Sequence, residues 1–265
     1  MKTITGSTGT TISYSVAGSG LPLVLVHGAF SDHETNWTFV TPRFQQQFTM
    51  YAIARRGRGA TDATDDHTLE DEAQDVADVL RSIGIPVYLL GHSYGAHCAL
   101  LAASREADRV EKLVLYEPAL PDAVKPDAFA ALETLAAANA WDQFAFAFFA
   151  NTLHVPTGEL EAVRASELWP PIVTDARASL VDLRTIREYR FDPGRFAALD
   201  IPVMLQVGSE SPRYLYATDA LAAVLPDVRM DTLAGQAHEG MTTAPELYAE
   251  SIMRFFLTRS SDEAA

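Results

Sequence analysis

The stretch Val87-Tyr88-Leu89-Leu90-Gly91-His92-Ser93-Tyr94-Gly95-Ala96-His97-Cys98-Ala99 runs from an apolar segment through a glycine-flanked serine into small residues. Val87 to Leu90 reads as a buried strand and Ala96 to Ala103 as a small-residue helix, so Ser93 occupies a sharp strand-to-helix turn. Such a turn forces strained dihedrals on the serine, and side chains two positions either way would clash; glycines at 91 and 95 relieve that. A bare G-x-S-x-G arises often by chance. With a strand before it and a helix after it, the pattern marks a nucleophilic serine raised above the carboxyl edge of a parallel sheet. The departing helix adds a dipole that favours negative charge at the same place. A capping serine in an ordinary turn is the plainer alternative.

Working outward, the same rhythm recurs. Leu21 to Val26 is a continuous apolar run ending at His27-Gly28, as expected of a strand buried on both faces. Phe48 to Ala54, Val110 to Tyr116, Ile201 to Val207 and Val228 to Leu233 read as further strands. Leu69, Ala73, Val76, Ala77 and Leu80 recur at helical spacing among acidic residues, and helices are also expected around Thr218 to Val224 and from Pro245 to Leu257. Strand–helix alternation of this kind predicts an α/β fold: a mostly parallel twisted sheet with helices on both faces. The rhythm breaks after Pro118. From Ala119 to Phe196 the sequence is helical, Ala-rich and studded with Trp141, Phe144, Phe146, Phe148, Phe149 and Trp169. Residues 119–196 are therefore expected to form a helical cap inserted between two strands of a core made of 1–118 and 197–265. The polar tail Ser260 to Ala265 is expected to fray.

The chain has 265 residues, 48% hydrophobic and 21% charged, an ordinary globular profile that excludes disorder and coiled coil. Twenty Lys and Arg against 35 Asp and Glu give a net charge of −15. An acidic surface repels phosphate backbones and anionic lipid, so nucleic acid and membranes are poor partners and a neutral, apolar small molecule is the expected substrate. A single cysteine, Cys98, allows no intrachain disulfide and no thiolate metal cluster. Met1 to Thr11 is polar and lacks the apolar centre of a signal peptide, and no apolar run approaches the ~20 residues of a membrane span, so a cytoplasmic protein is expected. Homo-oligomerisation is left open.

A serine hydroxyl needs a base. His238, in Gly235-Gln236-Ala237-His238-Glu239-Gly240 after the last strand, falls on the same sheet edge as Ser93 and in the chain order of such a base. A surface or capping histidine is the alternative. From His27-Gly28 through Arg56-Gly57-Arg58-Gly59 and the Ser93 turn to His238, the chain resembles the α/β-hydrolase superfamily, of the cofactor-free esterase and haloperoxidase-like kind. The resemblance implies a Ser–acid–His triad and a two-amide oxyanion hole, with no cofactor and no metal. The backbone N–H groups of Ala29, after the first long strand, and Tyr94, at the helix start, fit the two amides.

The acid departs from the pattern. The family commonly places it after the strand that here is Ile201 to Val207, but this chain reads Gly208-Ser209-Glu210-Ser211-Pro212, with Ser211 at the usual acidic position. Glu210 is one residue early, where a side chain on an extended segment points the other way. Glu117, in Leu115-Tyr116-Glu117-Pro118-Ala119, ends the neighbouring strand, as in some lipases of the superfamily, and a carboxylate there needs a partner such as His238. Glu117 is preferred, with Glu210 as the alternative. His27 and His92 are expected to brace loops, the Arg55, Arg56 and Arg58 turn to pair with acids, and Phe144 to Phe149 to pack the cap or line an acyl pocket.

The expected activity is hydrolysis of carboxylic esters with an apolar acyl or alcohol part. Carbon–carbon hydrolysis, perhydrolysis and acyl transfer use similar machinery and stay open, as does a ligand-binding homologue without turnover. A serine at the elbow disfavours dehalogenase and epoxide hydrolase chemistry, which needs aspartate there.

Overall fold

Eight strands form one sheet in a computed structural model that describes residues 1–64 and 66–258. They are β1 (Lys2–Thr5), β2 (Thr11–Gly18), β3 (Leu21–Val26), β4 (Phe48–Ala54), β5 (Val87–His92), β6 (Val110–Tyr116), β7 (Val203–Gly208) and β8 (Val228–Leu233). Their spatial order is β1-β2-β4-β3-β5-β6-β7-β8. From β4 to β8 every neighbouring pair is parallel, while β1 and β2 add an antiparallel edge. The sheet is thus α/β and mostly parallel, as the alternation predicts. The antiparallel strands β1 and β2 are not anticipated: much of their surface is exposed, so no continuous apolar run marks them.

Ten helices surround the sheet: α1 (Thr41–Phe44), α2 (Leu69–Ile83), α3 (Tyr94–Arg105), α4 (Pro126–Ala137), α5 (Trp141–Asn151), α6 (Thr157–Arg164), α7 (Trp169–Glu188), α8 (Thr218–Ala222), α9 (Gly240–Thr243) and α10 (Pro245–Leu257), among the described residues. The apolar sides of α2 and α3 (Ala73, Val76, Leu80, Leu100) meet Val24, Val26, Leu89 and Leu113 on one face of the sheet. Phe44 of α1 and Tyr248, Ile252 and Phe256 of α10 meet Leu23, Leu25, Leu90 and Val114 on the other. At about 25 cal/mol per Å² of apolar surface, these two layers supply most of the drive to fold. Thr68 caps α2 reciprocally with Asp71, and Gly84 ends it in a left-handed conformation at φ 80°.

Between β6 and β7 the chain makes α4 to α7, whose Phe129, Phe144, Phe148, Phe149, Trp169 and Leu180 bury one another in a third apolar cluster. Phe30, from the loop after β3, belongs to that cluster, stacking on Phe148 with ring centroids 4.6 Å apart. The expected fraying of Ser260 to Ala265 lies outside the described residues.

Candidate active site

Parallel strands send all their C-terminal ends to one edge, and the four candidate segments leave from there. Ser93 follows β5, Glu117 follows β6, Ala29 lies three residues beyond β3, and His238 stands between β8 and α9. The strand preceding Ser93 extends two residues further than expected, through His92, and α3 begins at once with Tyr94. Ser93 alone makes the corner, at φ 54° and ψ −118°, a region that L-residues rarely adopt. The flanking glycines are obligatory: a Cβ on Gly95 would collide with the carbonyl oxygens of Val26 and His27, and one on Gly91 would lie 2.6 Å from the Ala96 Cα.

Ser93 Oγ lies 3.0 Å from His238 Nε2, and His238 Nδ1 lies 2.6 Å from Glu117 Oε2. With Nδ1–H donating to the carboxylate, Nε2 is left free to accept the serine proton. Glu117, fully buried and itself at φ 46°, has its other oxygen held by the Gly208 N–H at 2.8 Å. Gly208 is the last residue of β7, so the β7 end supplies a donor to an acid that comes from β6. Glu210 is exposed, and its side chain accepts from Ser209 Oγ at 2.9 Å. The carboxylate facing the inner nitrogen of His238 is therefore that of Glu117. Burial opposes charging of His238, but the hydrogen bond and charge of Glu117, with Glu239, outweigh it and raise its pKa above 6.5.

Tyr216 stacks on the His238 ring (5.2 Å, 15°), and the Tyr116 hydroxyl donates to the carbonyl of Ala237. The sequence offered no signal for either, since both are set by where loops meet. His27 and His92 are buried and held neutral, first by burial and then by the charge of nearby Arg55 and, respectively, of His238. Both brace loops: His27 Nδ1 lies 2.7 Å from the carbonyl oxygen of Gly28, and His92 Nδ1 3.1 Å from Asn36 Oδ1. His92, His238 and Glu239 form a group that could hold a metal ion among the described residues, but both nitrogens of His238 already face Ser93 and Glu117.

Ala29, Ser93, Tyr94 and His238 line one cavity of about 40 Å³, closed by Leu120, Val124, Phe148, Leu153, Leu183 and Leu215. Phe148 alone of the 144–149 run reaches it; Phe144 is buried within the third apolar cluster. A larger cleft of about 630 Å³ lies between the Arg56–Thr64 turn and α7, but none of Ser93, His238 and Glu117 lines it. Ser93 and His238 open onto the small cavity.

The sequence model of the alpha/beta hydrolase family matches residues 23–251. The chain belongs to the alpha/beta hydrolase family. An alpha/beta hydrolase from Sphaerobacter thermophilus superposes with a TM-score of 0.82 at 29% identity, over 96% of this chain and all of that one. A 2-(acetamidomethylene)succinate hydrolase from Mesorhizobium japonicum is 25% identical over 258 residues, 92% of this chain and 91% of its own length. An N-formylmaleamate deformylase from Pseudomonas putida is 36% identical over 104 residues, 38% of either chain, so this chain matches little more than a third of that relative's length.

Proposed function

We propose that this hydrolase cleaves carboxylic esters with a small, neutral, apolar acyl part through a serine acyl-enzyme. The observation that supports it most is the continuous relay from Ser93 Oγ through His238 to the buried Glu117, at 3.0 and 2.6 Å. Ser93 Oγ attacks the ester carbonyl while His238 Nε2 takes its proton; the alkoxide leaves with that proton, and a water deprotonated by His238 then releases the acid. Glu117 fixes the tautomer and stabilises the imidazolium. The amides of Ala29 and Tyr94 hold the oxyanion, each worth about 3 kcal/mol in the transition state. Residues 119–196 act as the cap over this site.

The cavity volume supports a small acyl group, since about 40 Å³ holds little more than one or two waters. The names of the deformylase and of a pyrrolizixenacetamide deacetylase from Xenorhabdus hominickii, 32% identical over 106 residues, carry one- and two-carbon acyl groups. Turnover of p-nitrophenyl acetate and labelling by a fluorophosphonate, both lost in Ser93→Ala with unchanged circular dichroism, are the expected results. Undiminished turnover in that variant removes Ser93 as nucleophile; a wild-type chain that neither turns over nor labels is a binding protein.

A further inference from the structure

Two donors converge on the carbonyl oxygen of Gly28, His27 Nδ1 at 2.7 Å and Arg55 Nη2 at 2.9 Å, while the Ser31 hydroxyl nearby donates to Asn36 Oδ1 at 2.8 Å. His27 Nε2 accepts from the Arg55 main-chain N–H at 3.2 Å, so the imidazole proton sits on Nδ1 and points at Gly28. That carbonyl belongs to the same peptide unit as the N–H of Ala29. In a planar trans peptide the two groups are rigidly opposed, so whatever aims the carbonyl aims the amide. Donation from a guanidinium also polarises the peptide and makes its N–H a stronger donor.

We propose that Arg55 is a positioning residue for the oxyanion site, aiming and polarising the Gly28–Ala29 peptide from behind, an inference that rests on Ala29 serving as an oxyanion donor. The guanidinium is itself immobilised. It is buried, donates from Nε to the His27 carbonyl at 2.9 Å, and is gripped by Asp182 of α7 at 2.7 and 3.0 Å and Glu72 of α2 at 2.9 Å. Arg58 shares Asp182 at 2.6 Å and pairs with Asp175. On the far side of Ala29, the Phe30 N–H donates to the fully buried Ser179 Oγ of α7 at 2.7 Å, holding Phe30 at φ 56°. The second amide is tied to the same cluster: the Tyr94 hydroxyl donates to Glu72 Oε1 at 2.7 Å, and Arg55 lies 4.3 Å over its ring. The cap helix α7 is thus part of the frame that orients the oxyanion donors.

Arg55→Lys keeps the charge but loses the planar fork, and Ser179→Ala frees the Phe30 amide without removing a charge, while also taking away the Oγ bonds to Asp175 and Arg58. The readouts are kcat and KM for p-nitrophenyl acetate, and the affinity of a trifluoromethyl ketone whose carbonyl accepts Ser93 Oγ and becomes an oxyanion. Both variants are expected to lose kcat by roughly 10- to 100-fold with KM within about threefold, and ketone affinity falls by a similar factor. The acid limb of the pH profile stays in place, because His238 is untouched. Wild-type kcat and ketone affinity in Arg55→Lys, or lost kcat with unchanged ketone affinity there, overturn the proposal whatever Ser179→Ala does. If Arg55→Lys does not fold, Asp182→Asn, which loosens the grip on the guanidinium while Glu72 still pairs with Arg55 and Asp175 with Arg58, decides by the same two readouts. Absence of ester turnover in the wild-type chain refutes the hydrolase reading first, and this one with it.

Discussion

Glu117 serves His238 from the end of β6, while the end of β7, where the family commonly keeps its acid, holds Gly208, whose N–H anchors the Glu117 carboxylate. The balance at His238 sets a pH prediction. Its folded pKa is raised because Glu117 outweighs desolvation, and only the neutral imidazole can act as base. Activity therefore falls as pH drops through a value above 6.5, and kcat/KM measured from pH 5 to 9 should show that limb. Glu117→Gln removes the charge that raises the pKa, so the limb moves to lower pH while the plateau falls by on the order of 10³-fold or more. Glu210→Gln, on an exposed side chain, should leave both unchanged; the reverse pattern makes Glu210 the acid. Ser93 and the general position of His238 were legible because a glycine-flanked turn and a loop after the last strand each have a local signature. Arg55 as a partner of Asp182 was not, because the two residues stand 127 positions apart and meet only after α7 folds back over the sheet.

At the scale of elements, β3 through β7 could be read to within two residues because strands buried on both faces are largely apolar, whereas β8, only partly buried, was legible from its place in the strand–helix alternation. The antiparallel strands β1 and β2 escape that reading, since exposed positions carry no constraint. One tight joint is where α3 passes under the end of β3. Gly95 lies in the first turn of α3, and its missing Cβ lets the carbonyls of Val26 and His27 approach. Gly95→Ala must push α3 off the sheet or move the β3 end, and either shifts Ser93 against Ala29. We expect a destabilisation above about 3 kcal/mol by chemical denaturation, or no soluble protein at all. Gly158→Ala, with open space around its Cβ position, is the control that should be neutral or slightly stabilising. An unaffected Gly95→Ala means that the joint has slack and that the elbow geometry is not held by packing.

The whole molecule carries a net charge of −15, and the arginines nearest the site do not relieve it locally. Arg55 and Arg58 are buried and spent on Asp182, Glu72 and Asp175, while Arg56 pairs with Asp75. The side chains around the triad cavity are apolar or neutral apart from His238, with no Lys or Arg among them. An anionic ester therefore meets repulsion at long range and finds no cation on arrival, whereas a neutral ester feels neither. The long-range part is screened by salt, with a Debye length of about 30 Å at 0.01 M and about 10 Å at 0.1 M. For a p-nitrophenyl ester bearing a terminal carboxylate, kcat/KM should rise roughly 2- to 10-fold as NaCl increases from 0.01 to 0.3 M. The acyl-chain-matched neutral ester should stay flat and remain the better substrate throughout, because the missing cation is a local deficit that salt cannot supply. An anionic ester that is preferred, and whose rate falls on adding salt, would require a positive patch facing the cavity and would overturn the assignment of a neutral substrate.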